Sequence, residues 1–278
     1  MTPIQRQAFE DAIELCYSGK PADAIQSLHK LAGSVALPAD KVGIGYHEVL
    51  WLVELKQIPE ARRRFSEIQS QLLSIDRVVD LEDRQLLTTL TVMLSFVEAK
   101  LLIEEGDKVS SLKILDRLST NAVSTPSTAA FERMRNEVQT LRGFLLVDSR
   151  RYREALPILE SASPPPNWEA LVSHYRARCY YELSDFEKAK PLLTEALKLE
   201  TSAKWQARSH YFLGRIYYAN REYSNAKTQF EQSLKFGDPD FVRESKAFEW
   251  LDSANQAFSA SPDKDASTQS LSPKHNIN

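Results

Sequence analysis

The chain has 278 residues, with 35 Lys and Arg against 38 Asp and Glu for a formal net charge of −3, and 42% of its residues are hydrophobic. That is the balance of a folded soluble chain, and the missing basic excess argues against a general electrostatic binder of nucleic acid. With only 8 glycines and no long alternation of apolar and polar residues, strands and tight hairpins are disfavoured and an all-α fold is expected.

The opening Met1-Thr2-Pro3-Ile4-Gln5-Arg6 has no basic stretch followed by an apolar run, so no secretory signal is expected and the chain is read as cytoplasmic. Cys16 and Cys179 lie far apart in helical patterns and are read as small buried apolar side chains in a reducing compartment. A first helical unit carries Ala12, Leu15, Ala24, Leu28 and Leu31, with Pro21 where its second helix should begin. Val49, Leu52, Ala61, Phe65 and Ile68 repeat that arrangement, with Pro59 at the corresponding helix start. Arg62-Arg63-Arg64 is the densest basic run; a helix points three successive side chains in different directions, so a solvated face is expected over a phosphate contact. The most apolar stretch, Leu86 to Ile103, contains Thr88, Thr89, Thr91, Ser95, Glu98 and Lys100, which predicts a buried helix rather than a membrane span. A third unit carries Ala99, Leu102, Ser111, Leu115 and Leu118, and Pro126 marks a further helix start.

The second half repeats more strictly. Tyr152, Ala155 and Leu159 recur as Phe186, Ala189 and Leu193, and again as Tyr223, Ala226 and Phe230. The aromatic residue belongs at the turn between two helices, the Ala at their close crossing, and the Leu or Phe one turn on along the same buried face. Six small anchors result: Ala24, Ala61, Ser111, Ala155, Ala189 and Ala226, spaced by 37, 50, 44, 34 and 37 residues. The two long intervals predict longer helices or loops around residues 70–92 and 119–137. Ser163-Pro164-Pro165-Pro166-Asn167 should break helix before Trp168, and Trp168 and Trp205 are read as equivalent residues just ahead of a first helix. Residues Val242 to Phe258 read as one amphipathic helix, a cap that shields the last repeat, and Ser259 to Asn278 as a disordered tail. One helical domain over 1–258 is expected, about six helix pairs plus the cap, with longer irregular units over 70–137.

The last unit, with Leu213-Gly214, Tyr217, Ala226, Phe230 and Pro239, resembles the tetratricopeptide repeat, in which Trp-x2-Leu-Gly-x2-Tyr is followed by Ala-x3-Phe and Pro. His210 stands where the family often has Trp, and Pro239 falls one residue late. The resemblance implies a right-handed superhelix of stacked antiparallel helix pairs with a C-terminal capping helix. It also implies a non-catalytic interaction scaffold or adaptor that binds a partner protein or peptide in a concave groove lined by the first helix of each pair. Once the packing residues are set aside, the groove positions are His174, Arg178, Tyr181, Arg208, Tyr211, Arg215 and Tyr218. Arg and Tyr are enriched at interaction hot spots, and Arg offers a fork to carboxylates or phosphates, so the expected partner is an acidic or C-terminal peptide. The alternative is that the tyrosines pack between helices and the arginines are merely solvated.

The corresponding N-terminal positions, Phe9, Ile13, Tyr46, Leu50, Met93, Phe96 and Phe144, are apolar. They are read as a surface for a hydrophobic partner helix or a second copy, or as covered within the chain. The family's carboxylate-clamp form uses Lys and Asn at groove positions, which departs from the Arg, Tyr and His here. Two further readings stand beside the scaffold: a regulatory or docking subunit of an enzyme or secretion complex, and an RNA-binding helical repeat. No glycine-rich phosphate loop or metal-ligand spacing occurs around His29, His47, His174, His210 or His275, so no enzyme activity, metal or cofactor is expected, and no membrane partner.

Overall fold

The computed structural model describes residues 1–76, 84–120, 128–165, 167–200, 202–237 and 239–260. Pro126, Asp238 and the tail from 261 lie outside the described residues. Among the described residues there are fourteen α-helices and no strand, as the sequence predicts. They fall into two compact units, Met1–Leu145 and Leu146–Asn278.

In the first unit, α1 (Pro3–Tyr17) packs on α2 (Pro21–Ser34), α3 (Pro38–Glu54) on α4 (Ile58–Asp76), and α5 (Arg84–Glu104) on α6 (Lys108–Thr120). The helix α7 (Ala129–Asp148) runs past the end of this unit. In the second unit, α8 (Tyr152–Ser161) is followed by the pair α9 (Glu169–Glu182) and α10 (Phe186–Leu199), then by the pair α11 (Ala203–Ala219) and α12 (Tyr223–Phe236). Two helices, α13 (Pro239–Ser245) and α14 (Ala247–Ala260), close the described chain.

All six anchors are 0% exposed. Ser111 occupies an alanine position because its hydroxyl donates to the Ala99 carbonyl at 2.9 Å, so the polar atom is satisfied within the crossing. The small residues permit close approach. A Cβ on Gly214 would meet the Phe230 ring at 2.7 Å, and one on Gly45 would run into Ile68. Gly214 lies twelve residues before its anchor and Phe230 four after it, the register of two antiparallel helices folded about one turn.

That turn is the same six times. Gly19, Lys56, Gly106, Arg150, Ser184 and Arg221 all have a left-handed backbone, with φ between 59° and 87°, and each lies five residues before an anchor. The amide of each donates back to the carbonyl three residues earlier, Lys56 to Val53 and Arg221 to Tyr218 for example. At five of the six turns the next amide also reaches back five residues, as from Gln57 to Leu52 and Glu222 to Tyr217. These are helix C-caps of the Schellman type, which satisfy the last carbonyls of the first helix while reversing the chain.

The long intervals between anchors are filled mainly by longer helices: α4 has 19 residues, α5 has 21 and α7 has 20. Helix α5 is long and apolar enough to cross a membrane, with mean hydropathy 1.8 over its most apolar stretch. It is nevertheless packed against α3, α4 and α6, and it holds Lys100 within the protein.

Three sequence expectations require correction. The cap is two helices rather than one: the chain breaks at Lys246, whose φ of 55° interrupts the helical run, and Ser259 and Ala260 belong to α14 rather than to the tail. Trp168 does precede α9, but Trp205 lies inside α11. The Arg62–Arg64 run is a solvated face only in part: Arg63 is exposed between Glu60 and Glu67, whereas Arg62 is half-buried against Glu105 and Arg64 is buried against Glu48 and Glu67.

Candidate functional site

The seven groove positions read from the sequence all lie on α9 and α11 of the second unit, and the structure sorts them into three kinds. His174 and Tyr211 are interior. His174 is 3% exposed, its Nδ1 is 2.9 Å from the Ser209 hydroxyl, and Trp205 and Phe212 pack against its ring. Burial, with Arg178 and Arg208 nearby, pushes its pKa down to about 3, so it is a neutral imidazole at physiological pH. Tyr211 belongs to the apolar cluster with Ala226, Phe230 and Phe241.

Arg178 is of the second kind, a half-buried cation already engaged. It donates to Asp148 at 3.2 Å.

Arg208, Arg215, Tyr181 and Tyr218 are of the third kind. The Arg215 guanidinium lies 3.9 Å from the centre of the Trp250 ring, and its Nη1 donates to the Tyr211 hydroxyl at 2.8 Å. The Tyr181 ring is 5.6 Å away on another side. Arg208 lies over Trp205 at 5.4 Å and Phe241 at 4.9 Å, and its Nε is buried without an acceptor. Tyr218 meets Trp250 edge-on at 5.4 Å. Among the described residues no carboxylate lies within ion-pair distance of Arg208 or Arg215. Rings stabilise both cations in place without neutralising them.

Sequence reasoning missed Trp250 and Phe241. It assigned their helices to shielding alone, because residues on α13 and α14 share no periodicity with α11. The available signal was an aromatic residue on each capping helix opposite an arginine stripe.

The N-terminal counterparts are sorted differently. Tyr46, Phe96 and Phe144 are buried core residues, so they present no partner surface; Phe9, Ile13, Leu50 and Met93 are partly buried. His47 is an edge-on neighbour of both Phe9 and Tyr46. A cleft of about 290 Å³ between α4 and α5 is lined chiefly by Phe65, Leu72, Leu73, Leu87 and Leu94. Both cysteines are buried and unpaired, and burial raises their pKa values, to about 11 for Cys16 and about 12 for Cys179, so neither is an activated thiol.

Helix pairs reversing through one left-handed turn onto one small anchor define an α-helical repeat protein. Residues 207–236, which span most of α11 and all of α12, match the family model described as tetratricopeptide repeat. Those residues are thus a tetratricopeptide repeat, and the same turn and small anchor recur at five further places in the described chain. No curated protein matches it in sequence. Among solved structures it is similar to a tetratricopeptide repeat protein from Parabacteroides merdae, at 12% identity over 90% of this chain and 98% of that one, with a TM-score of 0.47. It is also similar to the C-terminal part of a repeat protein of this kind from Cytophaga hutchinsonii, at 14% identity over 95% and 99%, TM-score 0.46. A third likeness is to the TPR2AB domain of yeast Sti1 in its complex with pHSP90, at 11% identity over 92% and 98%, TM-score 0.35. At such scores these likenesses bear on no functional argument. The repeat itself marks the chain as a protein-interaction scaffold.

Proposed function

We propose that the second unit binds an acidic peptide segment of a partner protein, with Arg208 and Arg215 as its principal contacts and Tyr181 and Tyr218 as flanking apolar and hydrogen-bonding surface. One observation carries the reading: two arginines are stacked on aromatic faces with no carboxylate beside them among the described residues. Holding a cation against rings limits the side-chain freedom lost on binding, and a hydrogen bond to a charged group contributes roughly 1.5–3 kcal/mol. Arg178 contributes less, because Asp148 already holds it. The unpaired, buried cysteines fit the reducing cytoplasmic setting expected from the sequence.

Fluorescence anisotropy with a labelled glutamate-rich peptide tests the reading. The double change Arg208→Ala with Arg215→Ala should weaken binding at least tenfold while the circular dichroism spectrum stays that of the wild type. Unchanged affinity in the folded double variant would remove these arginines from the site. A steep salt dependence on a single-stranded RNA oligonucleotide, stronger than on the peptide, would instead favour the nucleic-acid alternative.

A further inference from the structure

Resting on the acidic-peptide reading, we infer that Arg208 and Arg215 form a two-point reader, which selects partner carboxylates carried three residues apart on one face of a polyproline-type segment. Both guanidiniums are held rather than trailing: Arg215 by the Trp250 face and the Tyr211 hydroxyl, Arg208 between Trp205 and Phe241. Held side chains carry the spacing of the helix beneath them. The two residues are seven apart on α11, which at the rise of an α-helix places their backbones about 10.5 Å apart along its axis.

A polyproline II segment has three residues per turn and rises about 3.1 Å per residue, so residues three apart project from one face about 9.3 Å apart. An extended strand puts same-face residues about 6.8 or 13.6 Å apart, missing the interval on either side. An α-helical partner meets it only with acids seven apart. The choice between these follows from the walls. The partly exposed rings of Tyr181 and Trp250 flank Arg215, with Tyr218 beside Trp250, and Trp205 flanks Arg208. Aromatic-lined grooves are surfaces on which polyproline segments dock. The partner class is therefore a proline-rich acidic segment of the form Glu-x-x-Glu or its aspartate equivalent. Trp250 and Phe241 act as positioning residues, touching the arginines that touch the ligand.

The test uses the full chain and labelled thirteen-residue peptides on a proline and alanine background. Two glutamates are placed two, three, four or seven residues apart, with a single-glutamate control and an all-glutamate peptide. Separation by three should bind at least tenfold more tightly than by two, by four or by seven, and than the single-glutamate control. Trp250→Leu should keep binding but reduce that preference below about threefold. Should that variant fail to fold, Arg208→Lys supplies the second arm, since it keeps the charge but loses the planar fork. Equal affinity at all separations, or preference for seven on an alanine-rich helical background, overturns the spacing rule but leaves the acidic-peptide reading intact. Failure of every peptide, the all-glutamate one included, overturns both.

Discussion

The first unit pairs its buried cations with carboxylates, whereas the second pairs Arg178 with Asp148 but holds two others against rings. In the first, charge is neutralised internally. Lys100 on α5 donates to Glu54 on α3 at 2.6 Å and to Glu137 on α7 at 2.8 Å, and Arg64 on α4 is held by Glu48 on α3. Burial alone would lower the Lys100 pKa, but Glu137 and Glu54 more than offset it and hold it raised. In the second unit Arg208 and Arg215 are half-buried against Trp205, Phe241 and Trp250 with no such partner among the described residues. Cationic side chains thus meet carboxylates in one setting and aromatic faces in the other. What separates them is the neighbour: a carboxylate completes the cation, whereas an aromatic face only fixes it.

The largest expected effect breaks the neutralised side. Glu48 is 1% exposed, and Glu48→Ala leaves Arg64 short of its most buried partner, so it should cost about 3–5 kcal/mol of stability in urea unfolding. A cost below 1 kcal/mol would show that Glu67 and water suffice to satisfy Arg64.

Next in size is Gly214→Leu, which drives a side chain into the Phe230 ring and should cost about 1–3 kcal/mol by overpacking. An unchanged Tm would dissociate the glycine from the crossing. A smaller effect is expected for the unneutralised cations. Arg208→Ala should change stability by less than about 1 kcal/mol in thermal unfolding, since it removes contacts with two rings and, among the described residues, no ion pair. Arg215→Ala should cost about 1 kcal/mol more, because it also removes the hydrogen bond to the Tyr211 hydroxyl.

His174 gives a pH-dependent contrast. Its folded pKa of about 3 lies below the ordinary 6.5, so below 6.5 the unfolded chain takes up a proton that the folded chain refuses. Stability of the second unit should fall as pH drops from 6.5 toward 3, and His174→Gln should flatten that dependence. Parallel acid-unfolding curves for the two proteins would assign the acid sensitivity to other groups.

The anchors were legible because a helix crossing demands one small residue at a fixed place. Ala24, Ala61, Ala155, Ala189 and Ala226 declare that demand in the sequence, and even Ser111 fits once its hydroxyl bonds Ala99. The site was legible only in part. Setting packing residues aside finds positions left over on one helix, but α9 is enclosed on several sides, so His174 remained on the list although it is core. The contact between Arg215 and Trp250 joins residues 35 apart on helices of different period, and no single-helix pattern encodes it. The break at Lys246 was hidden because the apolar residues of Val242 to Phe258 still fit one helical face.

The six left-handed turns have a consequence for ionic strength. Four of them are not glycine, and a side chain in that conformation costs roughly 1–2 kcal/mol. Three of those four are Lys56, Arg150 and Arg221, each placed just past the C-terminus of a helix, where a cation is favoured by roughly 0.3–1 kcal/mol at low salt. Ser184 has the strain without the charge. Ser184→Gly should therefore stabilise by up to about 1 kcal/mol whatever the buffer. Arg221→Gly should gain less in dilute buffer and approach the Ser184→Gly gain in molar salt, where the helix-end field is screened. Denaturant titrations of the two variants at both ionic strengths would separate backbone strain from field, and identical salt responses would show that Arg221 has no electrostatic part in its turn.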